Sequence, residues 1–147
     1  MASRRATANR DLGDGDYQRL AQFRHALRQF LHFSDEAARE AGLSPQQYQL
    51  LVLVRGFPSG EVPTVGAVAK RLMIKHHSAV GLVDRLEAEN LLKRCREDRD
   101  GRRVTLVLTE KADEILSSLV SAHRRELRRL MPLMRPLVAE LGLSHHD

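Results

Sequence analysis

Along residues 75–108 the apolar pattern changes its period, and this limits the fold more than any other feature. From 75 to 89 the residues Ala79, Leu82, Val83 and Leu86 fall on one face at about 100° per residue, which predicts a helix. Then "CREDRDGRRVTLVLT", residues 95–109, passes from dense alternating charge to alternating apolar residues. Asp100-Gly101 between the two halves is a hairpin signal. The pattern predicts strands over 92–97 and 103–108, joined by a turn around "DRDG". Thr64 is placed to cap a short helix bearing Val65, Val68, Ala69 and Leu72, with a turn at Met73-Ile74 before the next helix. Two helices and a turn followed by a hairpin make a helix-turn-helix with a two-stranded wing.

On either side the period is helical. Leu20, Phe23, Leu27, Phe30 and Leu31 predict one long helix over 17–41, ending near Gly42, because glycine tolerates the left-handed backbone that closes a helix. In "LSPQQYQLLVLV" Ser44 is an N-cap, Pro45 suits the first turn and Gln47 completes a capping box. That helix stops by Gly56-Phe57-Pro58. Asn90 is placed to end the helix before the hairpin, since Asn also accepts a left-handed conformation. Thr109 starts a second long helix carrying Leu116, Leu119, Val120, His123, Leu127 and Leu130. Pro132 is expected to interrupt it, leaving "LMRPLVAELGL" as a last short helix.

The fold class is therefore mainly α with a small β-hairpin wing: a winged helix-turn-helix flanked by long helices. Residues 1–16 read as a flexible basic arm and 17–147 as a single domain. Within it, 44–108 form the winged part, and 17–43 and 109–147 supply the flanking helices. Those helices are longer and more apolar than the centre can cover, so they are expected to join two copies in a homodimer.

Composition narrows the partner. The 147 residues carry a net charge of +5, with an isoelectric point of about 10.0, which favours a polyanion. Nucleic acid comes first and a membrane surface second. Aromatic residues make up only 4% with no Trp, so the core must be Leu, Val and Ala, as packed helices prefer. The single Cys rules out an internal disulfide framework. "MASRRATANR" is basic but no apolar run follows, so it does not read as a secretory signal. No stretch approaches the roughly 20 apolar residues of a membrane span. The expectation is a cytoplasmic protein without a membrane partner.

On the helix over 75–89, His77, Gly81 and Arg85 line the stripe opposite the apolar face, and Ser78 borders it. A helix entering a major groove needs donors for base edges and phosphates and little bulk where its backbone approaches. An interior Gly costs a helix about 1 kcal/mol relative to Ala, which close approach to DNA would offset. A tolerated surface glycine is the competing reading. At the hairpin tip Arg99, Arg102 and Arg103 are interleaved with Asp98 and Asp100. A guanidinium can enter the narrow, negative minor groove, and a neighbouring carboxylate can hold it extended. A charged turn with weak surface ion pairs is the plainer alternative.

Other residues offer less. His76 and His77 are adjacent, so on a helix they point about 100° apart and chelate poorly together. His25, His32 and His123 lie on the long helices, where a hydrogen-bonded, partly buried role outweighs a ligand role. Cys95 is flanked by Arg94 and Arg96, but strand alternation turns both to the opposite face, so a plain thiol is favoured over a redox role. No Ser/His/Asp order, Gly-rich phosphate loop or zinc spacing is present, so an enzyme is not expected and neither cofactor nor metal is implied.

The segments "VGAVAKRLMIKHHSAVGLVDRLEAENLLKR" and "DGRRVTLVLTEKA" resemble the MarR family of winged helix-turn-helix transcription regulators. The likeness extends from about residue 17 onward and is strongest in "LVDRLE" taken together with the D-x-R wing and "LTEK". Asn90 and Ala112 stand where the family more commonly has Gly. The resemblance implies that residues 75–85 are the recognition helix and that Asp100 and Arg102 are the wing pair, with Arg102 the minor-groove residue. It also implies a homodimer on a pseudo-palindromic operator, usually repressing, and often released by a small aromatic ligand near the junction of dimer helices and winged part. The expected double-stranded DNA contacts are thus Thr64, Lys75, His76, His77, Ser78, Gly81, Arg85, Arg99, Asp100, Arg102 and Arg103. Phe30, His32 and Tyr48 are candidates for lining an effector pocket, with core packing the competing role. A nonspecific architectural protein or a winged-helix module for protein contacts is the alternative, because either would share the basic charge.

Overall fold

The computed structural model describes residues 12–96 and 103–142, in the order α1 (Asp14–Glu40), α2 (Pro45–Arg55), α3 (Val65–Leu72), α4 (His76–Ala88), β1 (Leu92–Arg96), β2 (Val104–Leu108) and α5 (Glu110–Gly142). The class is as expected, mainly helical with one two-stranded hairpin. The chain divides into two compact units, residues 34–123 and residues 1–33 with 124–147.

Within the unit of residues 34–123, local chemistry sets each boundary. Ser44 Oγ accepts from the Gln47 amide and Gln47 Oε1 accepts from the Ser44 amide, closing the capping box at the start of α2. Thr64 caps α3 by accepting from the Ala67 amide. Thr109 caps α5 by accepting from the Ala112 amide, and its hydroxyl donates to the Asn90 carbonyl, tying that helix start to the end of α4.

Three helices end in one way. After α1, α3 and α4 comes a left-handed residue: Gly42 at φ 83, Met73 at φ 56 and Asn90 at φ 59. In each case the next amide reaches back five residues, Leu43 to Ala38, Ile74 to Ala69 and Leu91 to Leu86, which satisfies carbonyls the helix leaves open.

The hairpin is antiparallel, with Leu92 opposite Leu108, Arg94 opposite Leu106 and Cys95 opposite Thr105. The Leu106 amide donates to the Pro63 carbonyl at 2.9 Å, so the strap before α3 docks on the free edge of β2. Leu50, Leu51, Val68, Val83, Leu86, Leu92 and Leu106 are fully buried together and draw α2, α3, α4 and both strands onto one core. Removing each such side chain from water is worth about 1.5–3 kcal/mol.

In the other unit, Ala26 and Leu130 are buried, and Arg19 pairs with Asp16 and with Glu140. Its surface carries apolar stripes: Tyr17, Leu20, Leu27 and Leu31 on α1, and Leu127, Met131 and Val138 on α5, all exposed.

Two expectations are corrected. α1 begins at Asp14, three residues before the expected position, because Asp14 and Asp16 place negative charge against the helix N-terminus and Asp16 accepts from the Gly13 amide. Pro132 does not end the last helix. α5 runs through both Pro132 and Pro136 to Gly142. A proline inside a helix removes one backbone donor, and the Leu, Met, Arg, Ala and Glu residues around both prolines favour helix strongly enough to continue past the loss.

Candidate nucleic-acid interface

The core positions α4 by its apolar face. Ala79, Val83 and Leu86 are buried and Leu82 packs against the same cluster, so the opposite stripe is turned outward. His77, Ser78 and Arg85 on that stripe are exposed. Gly81 lies between them, and a Cβ built on it meets nothing within 4 Å. Packing inside the protein therefore does not require a glycine there.

Lys75 stands just before the helix as its N-cap, with extended backbone and no side-chain cap, rather than within the helix. Lys75, His76 and His77 are exposed, and the first turn of α4 contains no acid. The open amides and positive dipole of a helix start favour an anion, and these side chains add donors. Among the described residues Lys75 and Arg85 make no ion pair, which leaves both charges available. Thr64 is half-buried and engaged in its cap.

Arg103 is exposed immediately before β2. Arg99, Asp100 and Arg102, with Asp98, lie outside the described residues.

One group escaped the sequence reading. Arg94, on β1, donates from Nη2 to Asp84 Oδ1 at 2.7 Å and from Nη1 to Glu87 Oε1 at 3.0 Å. Its backbone amide also donates to Glu87 Oε2 at 3.2 Å. Burial works against the guanidinium charge, but the two carboxylates outweigh it and hold the Arg94 pKa above its usual value. Asp84 and Glu87, three apart on one side of a helix, were the available signal. The strand that supplies their partner follows only in the folded chain.

The histidines separate. His25 and His32 are exposed, whereas His123 is buried. Its Nδ1–H donates to the Leu119 carbonyl at 2.6 Å, and its Nε2 meets the Ser34 hydroxyl at 2.8 Å. Tyr48 stacks on it with ring centroids 5.0 Å apart, and burial pushes the Tyr48 phenol pKa up. Of the three effector candidates, Tyr48 is thus part of a packed stack, Phe30 is half-buried and His32 is on the surface. Cys95 is half-buried opposite Thr105, whose buried hydroxyl has no hydrogen-bond partner among the described residues. Among the described residues no three metal-ligating side chains converge, and no helix is long and apolar enough to cross a membrane.

A helix with a polar, outward stripe, set on a second helix and followed by a hairpin, defines a winged helix-turn-helix protein. The sequence profile of the MarR family matches residues 41–103. The uncharacterized HTH-type transcriptional regulator YfiV of Bacillus subtilis (strain 168) is 29% identical over 94 residues, 64% of this chain and 57% of that protein. The chain thus spans somewhat over half the length of that relative. Among solved structures, the S. aureus MepR–DNA complex aligns with a TM-score of 0.60 at 20% identity, over 76% of this chain and 80% of MepR. CouR from Rhodococcus jostii, bound to p-coumaroyl-CoA, aligns with a TM-score of 0.60 at 22% identity, over 81% of this chain and 88% of CouR. Over residues 41–103 the chain is thus similar to the MarR family, and its fold is like that of the MarR proteins among the solved structures.

Proposed function

We propose that this protein is a transcription regulator that binds double-stranded DNA sequence-specifically as a homodimer. The observation that carries the reading is the outward stripe of α4. His77, Ser78 and Arg85 present donors there, around a Gly81 that the protein's own packing does not need. In this reading α4 enters the major groove, with Lys75, His76 and Thr64 against the phosphates. Arg103, Arg99 and Arg102 reach a minor groove, and Asp100 orients Arg102. Similarity to a MepR–DNA complex supports the docking mode.

The apolar stripes of α1 and α5 support the dimer, since exposed aliphatic rows of this length are characteristic of interfaces. Two copies would read a pseudo-palindrome whose half-sites are separated by about one helical turn. Repression in the cytoplasm, relieved by a small aromatic ligand, completes the reading. The p-coumaroyl-CoA bound to CouR supports that ligand class.

Fluorescence anisotropy on a duplex from upstream of the protein's own gene, against a scrambled duplex at near-physiological salt, tests the proposal. A preference of about 10³ is expected. Equal and steeply salt-dependent binding to both would favour the architectural alternative.

A further inference from the structure

We propose that Arg94 is a positioning residue for DNA recognition: by gripping Asp84 and Glu87 it fixes the wing strand β1 against α4, and so sets where the wing falls when α4 is seated. The inference rests on the DNA-binding reading above.

The geometry is that of a clamp. Arg94 is the only source, among the described residues, of side-chain hydrogen bonds between the two strands and α4. A guanidinium presents its donors in one plane, so meeting two carboxylates from successive turns of α4 fixes an orientation as well as a distance. Glu87 receives both the backbone amide and the side chain of Arg94, which removes the remaining freedom of the strand to roll. The second strand is held separately, by the Leu106 amide on Pro63. Each strand of the wing therefore has its own attachment, and only the Arg94 attachment is made to α4.

The pair is placed for this role more than for stability. Asp84 and Glu87 are largely exposed, and exposed ion pairs add little to folding. Asp84 lies two turns after His77, so it borders the outward stripe of α4. A free carboxylate there would repel phosphate. Arg94 draws it toward the wing instead.

Two measurements on the full chain test the clamp: amide hydrogen exchange of the free protein, and anisotropy on a duplex selected by the wild type from a random pool and on a scrambled one. In Arg94→Gln, the β1 and β2 amides are expected to exchange about tenfold faster while those of α2 stay unchanged. Affinity for the selected duplex falls about tenfold or more, the scale of one lost base contact, while scrambled DNA is bound almost as before. Arg94→Lys keeps the charge but not the fork, and it stays weak on the selected duplex. The triple variant Arg94→Gln, Asp84→Asn, Glu87→Gln removes the repulsion as well and stays weak. Recovery of wild-type affinity in that triple variant, or unchanged wing exchange in Arg94→Gln, overturns the inference. A wild type that selects no sequence overturns the regulator reading alone, and the exchange result still decides the clamp.

Discussion

At the scale of single residues, Gly81 and Met73 of the winged unit differ in what the sequence reveals of them. Gly81 was legible as an oddity in the sequence, and the open space at its Cβ separates two roles that the sequence left joined. Gly81→Ala should raise stability by about 1 kcal/mol, from helix propensity alone, and shift the thermal melt upward. If the α4 backbone approaches DNA closely, the same change lowers affinity for a specific duplex several-fold. Higher stability with undiminished binding would assign Gly81 to a tolerated surface site. Met73 was not legible. It occupies the left-handed position after α3 and is 91% exposed, yet nothing in "RLMIK" signals a positive φ at a methionine. The helix-turn-helix geometry dictates that conformation, and the sequence pattern does not record it. Met73→Gly should therefore stabilise the fold by about 1 kcal/mol, read by chemical denaturation, because it relieves the Cβ clash of that backbone. An unchanged midpoint would mean the turn carries no such strain. For the wing, Arg102→Ala is expected to weaken specific binding strongly and leave the melt unchanged. Intact affinity would remove Arg102 from the minor groove.

At the scale of elements, most boundaries followed from caps that can be read in one dimension. Ser44 with Gln47, Thr64, Gly42 and Asn90 all do in the structure what their residue types favour. Ser44→Ala should cost about 1 kcal/mol, since it leaves the Gln47 amide at the start of α2 without its acceptor. Thermal melts of the variant check this. The long α5 was misjudged for a physical reason. Pro132 and Pro136 forbid two backbone donors but leave the remaining helix bonds in place, and a local rule cannot weigh that loss against a long favourable helix. The Arg94 clamp was invisible for the opposite reason. Its three residues are each ordinary alone, and only the fold brings strand and helix together.

At the scale of the whole molecule, the proposed function assigns the basic charge to DNA and the apolar helix stripes to a second copy. The stripes were legible as surplus apolar length, and the structure leaves Leu27 and Leu127 about two-fifths exposed. Replacing both by Glu should give a monomer by sedimentation velocity, with the winged unit still folded by circular dichroism and specific DNA binding lost. A variant that remains dimeric would move the interface elsewhere. The measurement that tests the central claim most directly is selection of bound duplexes from a random pool, followed by sequencing. The account predicts enrichment of an inverted repeat whose half-sites lie about one helical turn apart, one for each copy of α4. A protein that retains duplexes of every sequence, with no enriched motif, would contradict it.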